Sequence, residues 1–277
     1  YGYNYDNGTY LDTDSCDYQL VGLTEGNCSS WGNPIGEMYL ESLRYLAGKT
    51  ASTTFGFTYA GSEDEALGLT VAAWSDPFAT STEAEFGDKL CRRTSIVNFN
   101  ASVTSYDNDQ WGGQGDINGL GGTVTVESLT DSIGAAEGLY ASGTLWAIGR
   151  TTAATDETCN AKTMSALSSS IGICPEAPTQ GGGFKMAGAA LHAHNTPIRS
   201  DFTVPTNNKR AFRVDTYGVA LATGNPRIDV PVPGQAGKIV RIQPAYRLVH
   251  PTRGQGGGTL VDFRVVTQTA TSGKFVV

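Results

Sequence analysis

The sequence predicts an α/β fold: a doubly wound sheet with long loop insertions over residues 1–224, then a small β-rich module over residues 225–277. Three observations carry this reading. Helical spacing and buried strand-like runs alternate through the first part. After Pro226 the helical spacing stops, and short apolar runs alternate with Pro/Gly turns. Gly supplies 35 of the 277 residues, with abundant Ser and Thr in the connections. Doubly wound sheets bind ligands at the carboxyl ends of their strands, so the loops there are the first place to look for a site.

Residues 1–30 are polar, aromatic and turn-rich and predict no regular element. The most patterned stretch follows, WGNPIGEMYLESLRYLAGK from Trp31 to Lys49. Asn33 offers an N-cap side chain, and Pro34 suits the first helical position, where its missing N–H costs nothing. Ile35, Met38, Tyr39, Leu43 and Leu46 form one apolar stripe, with Glu37, Glu41 and Arg44 on the other side. Gly48 supplies a left-handed terminator, giving a helix over about Pro34–Ala47.

Strand-like FGFTY (55–59) and LTVAAW (69–74) come next, then an acidic irregular stretch over 75–88. Ile96, Val97 and Phe99 in TSIVNFNASV predict a short buried strand running into the loop SYDNDQWGGQGDINGLGG. SLTDSIGAAEGLYASG predicts a helix with Thr130 or Asp131 near its start, and LWAIGRT a strand. Ala161–Ile171 predicts a short helix, Lys185–Asn195 another, and Val214–Ala222 a buried strand. RIDVPVPG, KIVRIQPAYRLV and TLVDFRVVTQT predict the strands of the final module. No internal repeat is present.

Charged residues make up 17% of the chain and the net charge is −8, which argues against nucleic acid or an anionic membrane as the main partner. A divalent cation, Ca²⁺ or Mg²⁺, is the more natural partner. No run approaches the roughly 20 apolar residues of a membrane helix. The start at Tyr1 and the apolar end KFVV predict a mature or ordered fragment of a longer polypeptide. Of the cysteines, Cys16 and Cys28 would close one short loop and Cys159 and Cys174 another, leaving Cys91 over. No CxxC occurs, and an oxidising compartment is expected.

Asp107 and Asp109 lie two apart in YDNDQWGGQGDIN. An EF-hand loop also needs an oxygen ligand at position 5 and Glu at position 12, where this chain has Trp111 and Asn118. A non-standard Ca²⁺ or Mg²⁺ site and a solvated loop with Asx turns at Asp107 and Asn108 both stay open. Asp12, Asp14 and Asp17 raise the metal question more weakly. His192 and His194 point to different helix faces, His250 is isolated, and no GxSxG elbow is present. The Gly-rich turns lack the GxxxxGK[ST] form. The sequons at Asn7, Asn27 and Asn100 are short enough to arise by chance. The residues predict no enzyme.

Several segments together resemble one family, the PilY1-type type IV pilus biogenesis and tip-adhesin proteins. They are CSSWGNPIGEMYLESLRYLAG, SIVNFNASVTSYDNDQ, LTDSIGAAEGL, GICPEAP, AGAALHAHNTPIR, DTYGVALATGNPRIDVPVPG and TLVDFRVV, in the family's order over about residues 27–266. The resemblance implies a large secreted protein at a pilus tip, with a von Willebrand A-like region before a β-propeller. This chain would be the later part of that region and the β-rich segment after it. An A-type domain holds Mg²⁺ or a similar ion through a DxSxS loop, a Thr before a helix, and an Asp ending a strand. Asn33 stands at the Thr position and Asn100 at the Asp position, and DxSxS is absent. The resemblance therefore implies a degenerate metal edge of Asn33 and Asn100, with Asp107 and Asp109 as candidate replacements. It further implies binding rather than catalysis, minor pilins and the pilus tip as partners, and a host or abiotic surface beyond. Location would be extracellular, reached through the periplasm. Two other classes compete: a structural subunit of another extracellular filament or surface layer, and a secreted hydrolase.

Overall fold

The computed structural model describes residues 2–4, 9–11, 33–51, 74–79, 90–100, 103–175, 177–204, 208–221, 228–242, 248–250, 254–256, 264–269 and 272–276. A short antiparallel pair, β1 (Gly2–Asn4) and β2 (Thr9–Leu11), comes first. Helix α1 (Ile35–Leu46) precedes β3 (Thr94–Asn100), which pairs in parallel with β6 (Val214–Ala220), Thr94 opposite Val214 and Asn100 opposite Ala220. Between these strands lie α2 (Val126–Ala136), the short pair β4 (Trp146–Ala147) and β5 (Ala161–Lys162), and α3 (Lys185–Asn195). Parallel neighbours need a long crossover, and this one carries two helices.

Helices α1 and α3 pack on each other and reach the strands, α1 against β3 and α3 against β6, while α2 packs on α3. The core joins Tyr39, Leu40 and Leu43 of α1 to Trp111, Ile117, Val126, Ala189, Ala193, Ile198 and Val214. Small residues on α3 allow the close approach: a Cβ on Gly188 would sit 2.3 Å from Thr130 Oγ1 and 2.4 Å from the Val126 carbonyl. A second cluster of Phe78, Ala211 and Phe212 surrounds Arg199, which is 3% exposed, pairs with Asp76 and Asp201, and lies 4.6 Å over the Phe202 ring.

The termination of α1 follows its sequence. Gly48 adopts φ +72°, its N–H reaches the Tyr45 carbonyl and that of Lys49 the Arg44 carbonyl, the two bonds of a Schellman cap. Its start does not. Asn33 makes no cap; its side chain turns to Asn100 and Val103 instead. The two-sided reading of α1 is also corrected. Met38 is 60% exposed, while Glu37 and Arg44 are buried at 9% and 5%. The loop after β3 folds over that flank, with Asp116 pairing to Arg44 and the Gln110 N–H donating to Glu37.

Helix α3 and strand β3 fall where the sequence places them, and β6 ends two residues early. Neither strand is buried on both faces as expected: Val97 and Phe99 of β3 and Tyr217 and Val219 of β6 lie exposed, because α1 and α3 cover one face of the pair. Helix α2 begins earlier than expected. Thr125 caps it and accepts from Ser128 N–H, leaving Thr130 buried a turn further in. The helix expected over Ala161–Ile171 is replaced by β5 and a succession of turns. There Lys162 is buried with its ammonium donating to the carbonyls of Ile148 and Thr158 and to Asn160 Oδ1, beside Asp156, and the Cys159–Cys174 disulfide closes the loop. These non-helical contacts outbid a weak local preference. The strand expected from LWAIGRT shrinks to Trp146–Ala147.

The C-terminal part forms three antiparallel pairs: β7 (Ile228–Pro231) with β8 (Ile239–Ile242), β9 (Leu248–His250) with β10 (Gly254–Gly256), and β11 (Arg264–Gln268) with β12 (Gly273–Val276). The segments 55–59 and 69–73, the residues Cys16 and Cys28, and the boundary at 224 lie outside the described residues. Among the described residues the parallel sheet has two strands.

Candidate functional site

The edge where β3 ends and α1 begins holds the residues singled out for metal. Asn33 Nδ2 donates to Asn100 Oδ1 at 2.8 Å and to the Val103 carbonyl at 3.0 Å, while its backbone N–H donates to Ser105 Oγ at 2.9 Å. Asp107, 3% exposed, accepts from the Gly183 N–H at 2.7 Å. Burial raises its pKa, and hydrogen bonds from Gly183, Thr104 and Gly36 oppose that rise. Gly36 is required here, because a Cβ would lie 2.8 Å from the Trp111 ring and 3.3 Å from Asp107 Oδ2. Asp109 is exposed and hydrogen-bonds Glu37. Burial, with the nearby charges of Asp109 and Asp107, pushes the Glu37 carboxyl up to about 7 against a backbone hydrogen bond from Gln110.

The structure thus gathers Asn33, Asn100, Asp107 and Asp109 along one edge, where hydrogen bonds within the protein engage all four. Asn33 presents N–H groups to Asn100 and Val103, and the side-chain oxygen of Asn100 accepts one of them. Asp107 is committed to backbone N–H groups. Among the described residues no group of three or more His, Cys, Asp or Glu side chains could hold a metal ion. The histidines also separate, His192 buried against the Asn118 carbonyl and His194 exposed beside Asp215.

A second feature had no signal in the sequence. A cleft of about 430 Å³ opens between the disulfide-closed loop and the N-terminal ends of α2 and α3, lined by Asn108, Glu127, Arg150, Thr152, Ser169 and Lys185 among others. Its walls are fixed. Arg150 pairs with Ile171 in a β-bridge, the hydroxyls of Thr152 and Ser169 lie 2.9 Å apart, and Ser168 N–H donates to Asp131. Lys185 Nζ donates to the Asn108 carbonyl at 2.8 Å and stands 3.3 Å from Glu127. Burial would raise the Glu127 pKa, but hydrogen bonds from Gln114 and Lys185 outweigh it and hold the carboxyl below its usual range. These residues come from five separate stretches, and their small hydroxyls match no compact motif.

Comparison with known proteins places the chain. A family model described as PilY1 homolog, second domain, matches residues 1–193. The chain is 31% identical over 218 residues to a protein of Xylella fastidiosa strain Temecula1 named type IV pilus biogenesis factor PilY1 homolog. That match spans 76% of this chain but 14% of the relative. No solved structure matches. With a family match over most of its length, covering α1, β3, α2 and all but the last two residues of α3, the chain belongs to the PilY1 homolog family.

Proposed function

We propose that this chain is part of a type IV pilus-associated protein that acts in pilus assembly and surface adhesion by binding, not catalysis. Family membership over residues 1–193 is the observation that carries the reading, and the name of the Xylella relative supports the link to pilus biogenesis. The parallel β3–β6 pair beneath α1 and α3 supports a von Willebrand A-like region, with loops presented at the strand ends. A binding role is supported by where the buried ionisable groups are spent: Arg44, Asp107, Lys162 and Arg199 all serve structural bonds. The disulfide supports an extracytoplasmic setting. Its partners would be minor pilins at the pilus tip, and beyond them a host or abiotic surface.

A second reading, a structural subunit of another extracellular filament, is favoured by one observation. Val97, Phe99, Tyr217, Val219 and Leu221 lie exposed on the β3–β6 pair and its end. The test is affinity capture of the full-length protein from piliated cells, with piliation counted in a deletion strain. Recovery of minor pilins and loss of surface pili are expected. Unchanged piliation, or capture of a self-polymer alone, would overturn the proposal.

A further inference from the structure

We infer that the cleft between the disulfide loop and the α2–α3 helix ends is a saccharide site, with a preference for a sugar that bears a carboxylate. This deepens the adhesive reading above and rests on it. The volume, about 430 Å³, lies in the range of small-ligand sites. Nine of the cleft's ten lining residues are polar or charged, while their carbon atoms make up the larger part of the wall. Thr151, Thr152, Thr155, Ser168 and Ser169 line the cleft, and a hydroxyl can both donate and accept, as sugar hydroxyls require. Those of Thr152 and Ser169 now bond each other and could exchange that bond for a ligand. Ile171 supplies a small apolar surface for ring C–H groups.

Charge orders the site. Arg150 and Lys185 bring two cations to the cleft of a chain whose net charge is −8, and Glu127 brings one carboxylate. The N-terminus of α3 opens beside them with no side-chain cap and no acidic residue in its first turn, so the positive end of that helix has no compensating charge of its own. Glu127 and Glu157, the latter 3.5 Å from Arg150, already share both cations, so the positive charge left for a ligand is small and suits one carboxylate better than a polyphosphate. A single carboxylate among many hydroxyls meets fewer conflicts: the acid lies toward α3 and Arg150, the hydroxyls toward Thr152, Ser169 and Glu127. The walls are held by the disulfide and the Thr152–Ser169 contact before any ligand arrives, which lowers the ordering cost of binding.

The test titrates tri-galacturonate, and separately its uncharged methyl ester, into the isotopically labelled 277-residue chain. Saturable shifts of the amides of Arg150–Thr152 and Ser168–Ile171 are expected, with the acid binding more tightly than the ester. Thr152→Val with Ser169→Ala should weaken binding about fivefold to tenfold while leaving distant core amides unmoved. Both positions are exposed and the Cys159–Cys174 disulfide still closes the loop, so unmoved core amides in the double variant separate lost ligand contacts from lost fold. Absence of binding, shifts elsewhere, equal affinity for acid and ester, or an unaffected double variant would each overturn the inference. In cells, the double variant should pilate normally yet lose attachment that tri-galacturonate competes away. Loss of pili would point instead to a role in assembly and overturn the saccharide assignment.

Discussion

Replacing Glu37 with Gln isolates an electrostatic cost that the fold carries at neutral pH. Glu37 is 9% exposed, accepts from the Gln110 N–H at 2.9 Å, and faces the carboxylates of Asp109 and Asp107. Its carboxyl is pushed from the ordinary 4.5 up to about 7. The folded state therefore holds this proton more tightly than the unfolded chain. The associated stability is fully present below about pH 4.5 and is lost as pH rises through about 7. Such a displacement corresponds to about 3 kcal/mol, at about 1.4 kcal/mol per tenfold change in proton affinity. Gln keeps the acceptor for Gln110 and removes the charge, so the variant should gain about 2–3 kcal/mol over the wild type at pH 8 and differ little at pH 4.5. Urea unfolding of both proteins across that range measures it. The difference between proteins is the quantity to read, because His192, whose pKa burial lowers, adds an opposing slope to each alone. A difference that stays constant with pH, or a Glu37 carboxyl carbon titrating near 4.5, would refute the reasoning.

Arg199→Ala should cost about 2–4 kcal/mol by emptying a slot among three aromatic rings and removing the cation that Asp76 and Asp201 share, and Arg199→Lys should recover little of it, read by chemical unfolding. Gly188→Ala should destabilise by about 1–3 kcal/mol, because the new methyl meets the Val126 carbonyl and Thr130 where α2 crosses α3; loss of α2 amide protection in hydrogen exchange locates the effect. Replacing Cys159 and Cys174 together by Ser should lower stability by about 3 kcal/mol for a loop of 15 residues, and non-reducing peptide mapping of the wild type should recover their bridge.

Much of the local structure was legible in the residues. Gly48 marked the end of α1 because only a left-handed residue closes that turn cheaply, and the structure has it at φ +72°. The apolar runs of β3 and β6 were visible as strands, though their parallel pairing joins residues 120 positions apart, as Thr94 to Val214 shows. Capping misled twice. Asn33 looked like the start of a helix and became a bridge to Asn100, and the start of α2 was placed too late because Thr125 and Ser128 form its reciprocal cap. The candidate metal residues Asn33, Asn100, Asp107 and Asp109 lie along one edge, and their hydrogen-bond partners there are ones no spacing rule names.

The sequence by itself determined where α1 ends and where β3, β6 and α3 run, along with the pairing of Cys159 and Cys174 and the family to which the chain belongs, since each is written in residues close along the chain or in ordered motifs. Only the tertiary structure decided that Glu37 and Arg44 are buried, that Asn33 spends its amide on Asn100, that the loop around Lys162 is not a helix, and that a hydroxyl-lined cleft opens beside α3. The physical reason is range. Periodicity and caps act over a few residues, whereas burial of a charge depends on segments such as 105–116, which come from more than 60 positions away to cover the flank of α1.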